Sequence, residues 1–266
     1  NTVEVTLQVT QGTLTLSGVS GLAFSTGDGT ADAHIVMTGT VSAINAALAG
    51  MSFTPAADNT TTATLTITTS DLGNTGTGGT LSDTDTVTIS VNAINDAPVN
   101  SVPGAQGVNE DGTLVFSTAN GNLISVSDVD AGNSLLQVTL GVTQGSLTLS
   151  GTAGLTFSTG DGSADASMVF SGTQSAINAA LAGMSYQPTP NANGAATLSI
   201  TTSDLGNTGS GGPLTDSDSV AITVNAINDA PVNTVPGAQS VNEDQTLVFS
   251  SGMAAIHCVT MLLSAG

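Results

Sequence analysis

The sequence predicts an all-β chain of tandem β-sandwich repeats with one short helix per repeat. Three observations carry this. The chain repeats itself: Asp71 returns as Asp204, Asn95 as Asn228 and Glu110 as Glu243, each 133 residues on (204 − 71, 228 − 95, 243 − 110). Laid without gaps on 134–231, residues 1–98 are identical at 66 of 98 positions, the signature of a tandem array. Apolar residues alternate with Thr, Ser and Gly through most of the unit, the period-two pattern of half-buried strands. Aromatics are only 3% of the 266 residues, so cores must be built from Val, Leu, Ile, Ala and a few Phe, which suits thin sandwiches.

Residues 1–19 carry Val3, Val5, Leu7 and Val9, then Leu14 and Leu16 beyond Gln11-Gly12. This reads as a hairpin with a glycine turn. Leu22 and Phe24 precede the turn Gly27-Asp28-Gly29, and Ile35-Val36-Met37 is a short strand. The period then changes. Ile44, Ala47, Leu48 and Met51 fall at i, i+3, i+4 and i+7, with Thr40 or Ser42 to cap the start and Gly50 to end the helix. The same helix recurs at 175–183. Ala63–Thr69 and Thr84–Val91 alternate as strands around the long turn Ser70–Gly79. Asp96-Ala97-Pro98 stops the last strand, because proline donates no hydrogen bond and restricts its predecessor.

Charge narrows the function classes. Twenty acids face no Lys or Arg, a formal charge of −20, although only 8% of residues are charged and 39% are hydrophobic. Nucleic acid and anionic membranes are both excluded as partners, since both are recognised through Lys and Arg. The apolar content is too high for disorder. Cys258 stands alone, so no intrachain disulfide forms, and metal is the remaining staple for a small domain. No apolar run approaches the length of a membrane span. The chain starts at Asn1 with no signal peptide and reads as a mature product or an excised piece.

The acids gather at the seams. Asn95 and Asp96, Glu110 and Asp111, and Asp128 and Asp130 all lie within 92–130. Carboxylates collected without a protein cation need water or a metal ion. Calcium takes six to eight oxygens at roughly 2.3–2.6 Å, and a D-x-D spacing lets two carboxylates of one loop reach one ion.

Four motifs then occur in a set order. VTISVNAINDAPV (Val87–Val99) resembles the cadherin strand that runs into a D-x-N-D-N-A-P linker. VNED (Val108–Asp111) resembles the glutamate-bearing motif near a cadherin repeat's start. SDVDAGN (Ser127–Asn133) resembles the D-x-D-x-G-N loop, and SDLGNTG (Ser70–Gly76, Ser203–Gly209) the A-x-D-x-G-x-P loop. Together they resemble the cadherin-like repeats of large bacterial surface adhesins. The resemblance implies a cadherin-like (Ig-like) sandwich that binds Ca2+ between successive repeats. Carried over residue by residue, the first junction uses Asn95, Asp96, Asp128, Asp130 and Asp204. The second pairs Glu110 with Asn228 and Asp229. The family's first linker Asp and its mid-repeat D-x-E are absent here, and the unit is longer, with an added helix; one or two ions per junction are expected.

This organisation gives a first repeat at 1–96 lacking its N-terminal part, a complete repeat at 97–229, and the start of a third at 230–266. From 251 the tail is apolar and matches nothing in the unit, with Met261 and Leu263 where Asp128 and Asp130 would recur. The expected function is a calcium-stiffened structural or adhesive segment, extracellular, in a bacterial surface or biofilm-matrix protein. Its partners would be calcium, neighbouring repeats or copies of itself, and a cell-surface or matrix ligand. The alternative is a self-assembling extracellular filament joined head to tail between 230–266 and 1–96.

Enzymatic activity is not expected. His34 is Ser167 in the other repeat, and His257 with Cys258 has no acid nearby in sequence. A glycosidase needs its carboxylate pair beside a sugar platform, and the chain has no Trp and one Tyr. Asp111 reads as a turn residue. Asp83 and Asp85 read as a solvated sheet edge, and Asp28/Asp32 with Asp161/Asp165 as turn chemistry. Asn59-Thr60-Thr61 matches a glycosylation sequon.

Overall fold

The computed structural model describes residues 1–74 and 76–232, with 238, 240, 242, 243 and 245. The first repeat holds β1 (Thr2–Val9), β2 (Thr13–Thr15), β3 (Leu22–Thr26), β4 (His34–Thr40), α1 (Val41–Leu48), β5 (Ser52–Thr54), β6 (Ala63–Ser70) and β7 (Ser82–Ile89). The second adds β8 (Val99–Ser101), β9 (Gln106–Asn109), β10 (Leu114–Val115) and β11 (Ser125–Ser127). It then follows the first with β12 (Leu135–Val142), β13 (Ser146–Thr148), β14 (Thr156–Thr159), β15 (Ser167–Thr173), α2 (Gln174–Leu181), β16 (Ser185–Gln187), β17 (Gly194–Ser203) and β18 (Thr215–Asn225).

In the second repeat a six-stranded sheet, β14-β15-β12-β17-β18-β9, faces two small sheets, β10-β16-β13 and β11-β8. All its ladders are antiparallel except β9 on β18. Leu136, Val138 and Leu140 of β12 point inward at alternate positions, as do Ala196, Leu198 and Ile200 of β17 and Val220, Ile222 and Val224 of β18. They meet Phe116, Val126, Leu147, Tyr186 and the buried face of α2 in one core. The expected fold class, all-β sandwich repeats with a short helix in each, is the one observed.

The first repeat repeats half of this plan. Its sheet is β3-β4-β1-β6-β7, with β2 and β5 paired above it, and the core centres on Leu7, Leu14, Ile35, Met37 and Ile44. The hairpin expected over residues 1–19 does not form. β1 pairs with β4 and β6, whereas β2 pairs with β5 in the other layer. The alternation in 1–19 was real, but Gly12 turns the chain across the sandwich instead of back along its strand. Gly12 has φ +75°, and a Cβ there would meet the Thr54 carbonyl and the Phe53 ring, so only glycine fits.

The helices sit where the period changed. Thr40 Oγ1 accepts from Ala43 N (3.2 Å) and Thr173 Oγ1 from Ala176 N (3.3 Å), which makes Thr40 the cap. Ser150 Oγ donates to the carbonyls of Ala179 and Ala180 at the far end, occupying acceptors that a short helix leaves unpaired. Asn178 of α2 grips β11 through both backbone groups of Val126, at 2.8 Å each. Among the described residues no helix is long and apolar enough to cross a membrane.

The repeats differ in what covers the sheet. Val220 is 1% exposed, yet Val87, one period earlier, is 52% exposed. Val220→Ala should therefore lower the stability of the second repeat by about 2 kcal/mol. Val87→Ala should change the first by no more than about 0.5 kcal/mol. Urea unfolding of the two variants checks this, and equal shifts would contradict it.

Candidate metal centre

The linker after β7 lies along a loop of the next repeat. Asn95 N donates to Ser210 O (3.0 Å) and Ser210 N to Ala93 O (3.1 Å), a short parallel bridge between Ile94 and Ser210. Gly209 permits the approach. Its φ is +66°, and a Cβ there would strike Ile94 and the Asn95 nitrogen. The Asn95 side chain, 6% exposed, is held on three sides: Nδ2 donates to Asp204 Oδ2 (2.5 Å) and Gly212 O (3.0 Å), and Oδ1 accepts from Thr208 Oγ1 (3.2 Å). Asp204 in turn accepts from Gly206 N and Leu214 N, both at 2.8 Å.

Farther along, Asn100 N donates to Asp216 Oδ2 (2.7 Å), and Asn100 Oδ1 accepts from Thr202 Oγ1 (2.6 Å). Asn95 and Asn100 are thus the two teeth by which the linker enters the second repeat.

Asp128 and Asp130 follow β11 and turn toward this seam. The turn is self-made: Asp128 Oδ1 accepts from Asp130 N (3.2 Å) and Ala131 N (3.0 Å). Gln174 at the start of α2 accepts from Asp128 N (2.9 Å), so the helix fixes the loop. Asp96 N donates to Asp130 Oδ2 (3.3 Å). Of the five residues expected at the first junction, Asn95 thus bonds Asp204, Asp128 lies beside Asp130, and Asp96 meets Asp130 through its backbone nitrogen with its side chain exposed.

Its electrostatics are unbalanced. Asp128 Oδ2 and Asp130 Oδ1 are buried with no hydrogen-bond partner. Burial pushes the Asp128 carboxyl above its ordinary value, and the contact with Asp130 pushes it further. Burial also acts to raise Asp130, but the contact with the Asp128 carboxyl, the Asp96 backbone amide and the Thr208 side chain outweigh it and hold Asp130 low. At Asp204 burial is likewise outweighed, by the Leu214 and Gly206 amides and Asn95. Two adjacent carboxylate oxygens with no donor fit a hard cation. Among the described residues no three His, Cys, Asp or Glu side chains converge on one point, so any complete coordination shell must also draw on amide or backbone oxygens or on water.

At the second junction, Glu110 is buried and its Oε1 accepts from Ile227 N (2.6 Å), while Asn228 and Asp229 are exposed. The glutamate thus contacts that linker at the residue before Asn228. The expectations for 251–266, including Met261, Leu263, His257 and Cys258, fall outside the described residues. Asp111 lies in a turn closed by Gly112 N to Asn109 O (2.8 Å). Asp32 caps its glycine turn through Asp28 N and Gly29 N, and Asp165 does the same. Residue types alone did not expose Gln174, Thr208 and the Asn100–Thr202–Asp216 group. The signal for the last was Asp83 recurring as Asp216 one period on.

No protein-family model matches the chain, and no curated protein does. Solved structures similar to it include the protocadherin gamma B2 extracellular cadherin domains 1-5, at 14% identity and TM-score 0.33 over 84% of this chain and 34% of that one. Mouse cadherin-23 EC22-24 is 17% identical, with TM-score 0.31 over 85% and 55%. The collagen adhesin (CNA) from S. aureus is 9% identical, with TM-score 0.26 over 84% and 81%. The chain spans 34% and 55% of the two cadherin chains.

A raised carboxyl pKa means that the folded state prefers the protonated form. That stabilisation is full below the ordinary value of 3.8 and is lost as pH rises through the raised value. In a chelator, Asp128→Asn should keep both Oδ1 contacts, remove the unpaired charge, and melt higher than the parent at neutral pH. The gap should close as pH falls toward 4. Thermal melts across that range check it, and a variant that melts lower at neutral pH would contradict it.

Proposed function

We propose that the chain is an extracellular, calcium-binding structural and adhesive repeat segment of a bacterial surface or biofilm-matrix protein, in which Ca2+ stiffens the joints between repeats. The observation that carries this reading is the pair of donorless oxygens on Asp128 and Asp130, at the point where a linker enters a repeat, in a chain without Lys or Arg.

The roles divide by position. Asp128 and Asp130 supply the charged oxygens. Asp96 brings a linker carboxylate to the same seam. Asp204 and Asn95 clamp the linker beside it and share in the coordination. At the other joint Glu110 acts with Asn228 and Asp229. Bound calcium would neutralise the carboxylates, and fixing linker and loop to one ion turns a hinge into a rod. Gln174 and Asn178 hold the D-x-D loop against α2 without touching the ion. Adhesion to a cell-surface or matrix ligand belongs to the same reading, as does binding to neighbouring repeats. The sequence resemblance to bacterial adhesin repeats supports the setting.

Titrating the full chain with calcium, beside an Asp128→Ala/Asp130→Ala variant, tests this. The parent should gain several degrees of melting temperature at saturation, in line with a stabilisation of about 2–4 kcal/mol from ligand binding to the folded state alone. The variant should gain much less. Equal gains would remove both residues from the site, and no gain in either would remove calcium.

A further inference from the structure

Asn59-Thr60-Thr61 takes no part in the seam. Of the 19 asparagines, Asn59 alone is followed two places on by Ser or Thr, with a residue other than proline between. It is the chain's single acceptor pattern for an N-linked glycan. The motif lies in the loop 55–62 between β5 and β6, where every residue is exposed except Asn59, which is half-buried.

The loop presents the acceptor in a fixed shape. Asn59 Oδ1 accepts from Thr61 N (2.9 Å) and from Thr61 Oγ1 (2.6 Å), so the hydroxyl of the motif already sits on the amide. A donor on the amide oxygen polarises the group and eases loss of an Nδ2 proton, which this nitrogen must shed to bond a sugar carbon. Nδ2 itself has no hydrogen-bond partner among the described residues and is not buried. Beneath it, Gln11 staples the loop at both ends: Nε2 donates to Thr61 O (3.1 Å), and Oε1 accepts from Ala56 N (3.1 Å). Asn59 N closes the turn on Ala56 O (3.3 Å).

The fold does not call for this pair. The second repeat builds the same turn: Asn191 has φ +56°, as Asp58 does. Ala192 N donates to Thr189 O (3.1 Å), and Gln144 Nε2 braces the turn at Ala192 O (3.1 Å). Yet Ala192 and Gly194 stand where the first repeat has Asn59 and Thr61. The turn therefore needs neither the amide nor the hydroxyl. Ala63, just past the loop, pairs with Ile89 at the end of β7, so Asn59 stands at the end of the repeat from which the linker leaves.

We infer that Asn59 is an acceptor for an N-linked oligosaccharide. Nδ2 attacks the anomeric carbon of an oligosaccharide carried on a lipid pyrophosphate. The N–C bond forms and the C–O bond to the pyrophosphate breaks. The lipid pyrophosphate leaves with the electron pair, and the Nδ2 proton passes to a base of the transferring enzyme. The carbohydrate then stands beside the joint as a bulky, solvated cover. This takes the extracellular setting from the reading above and none of its calcium, so either can fail without the other.

The test incubates the purified full chain with an oligosaccharyltransferase that accepts N-x-T and with its lipid-linked oligosaccharide, and reads intact mass and peptide masses. The parent should gain the mass of one glycan, located on Asn59. Asn59→Gln and Thr61→Val should abolish the gain, and Thr61→Ser should keep it. A parent left unmodified by an enzyme active on a control N-x-T peptide overturns the inference. A gain that survives Asn59→Gln, or that Thr61→Val leaves unchanged, overturns it too.

Discussion

Negative charge without a cation of its own is the constraint around which this chain is built. Most polar groups at the seam are answered within the protein: Asn95 by Asp204, Gly212 and Thr208, and the Asn100 Oδ1 and backbone nitrogen by Thr202 and Asp216. Left over among the described residues are Asn100 Nδ2 and, carrying charge, the Asp128–Asp130 pair, whose orphaned oxygens face each other's charge. A buried unpaired carboxylate costs several kcal/mol. The fold tolerates it because the loop is held from behind, by α2 through Gln174 and Asn178, and from within, by its own backbone amides. Rigid support under a strained charge is the arrangement in which an external ion gains the most by binding.

The same logic links the helix to the seam. In a unit made of strands, α2 looks at first like a packing device, and Ile177, Ala180 and Leu181 do pack. Its polar face has a separate task. Asn178 replaces a strand neighbour for β11, which lies in a two-stranded sheet too small to stand alone. The first repeat keeps Asn45 but has Val41 where α2 has Gln174.

Much of this was legible in the residues. The 133-residue period and the helix at Thr40 follow from spacing, because each depends on neighbours close in sequence or on an internal copy; the set Asn95, Asp96, Asp128, Asp130 and Asp204 came instead from the resemblance of four motifs in order. The hairpin at 1–19 was misread because alternation reports which face a side chain takes, not which strand is its partner. At Gly12 the partner is decided by Phe53 and Thr54, 41 and 42 residues on (53 − 12, 54 − 12). Gln174 and Thr208 were invisible for a related reason. An amide or hydroxyl acquires a role only when folding brings a carboxylate or backbone group to it, and nothing in the residue type announces that meeting.

The parallel pairing of β9 with β18 has a mechanical consequence. The chain enters the second repeat just before β9 and leaves it just after β18, and the two strands run side by side in the same direction. A tensile load along the chain would draw them past each other lengthwise, so their four register pairs would be stressed together instead of peeling one at a time. The module is thus laid out to resist stretching at the place where its two ends meet.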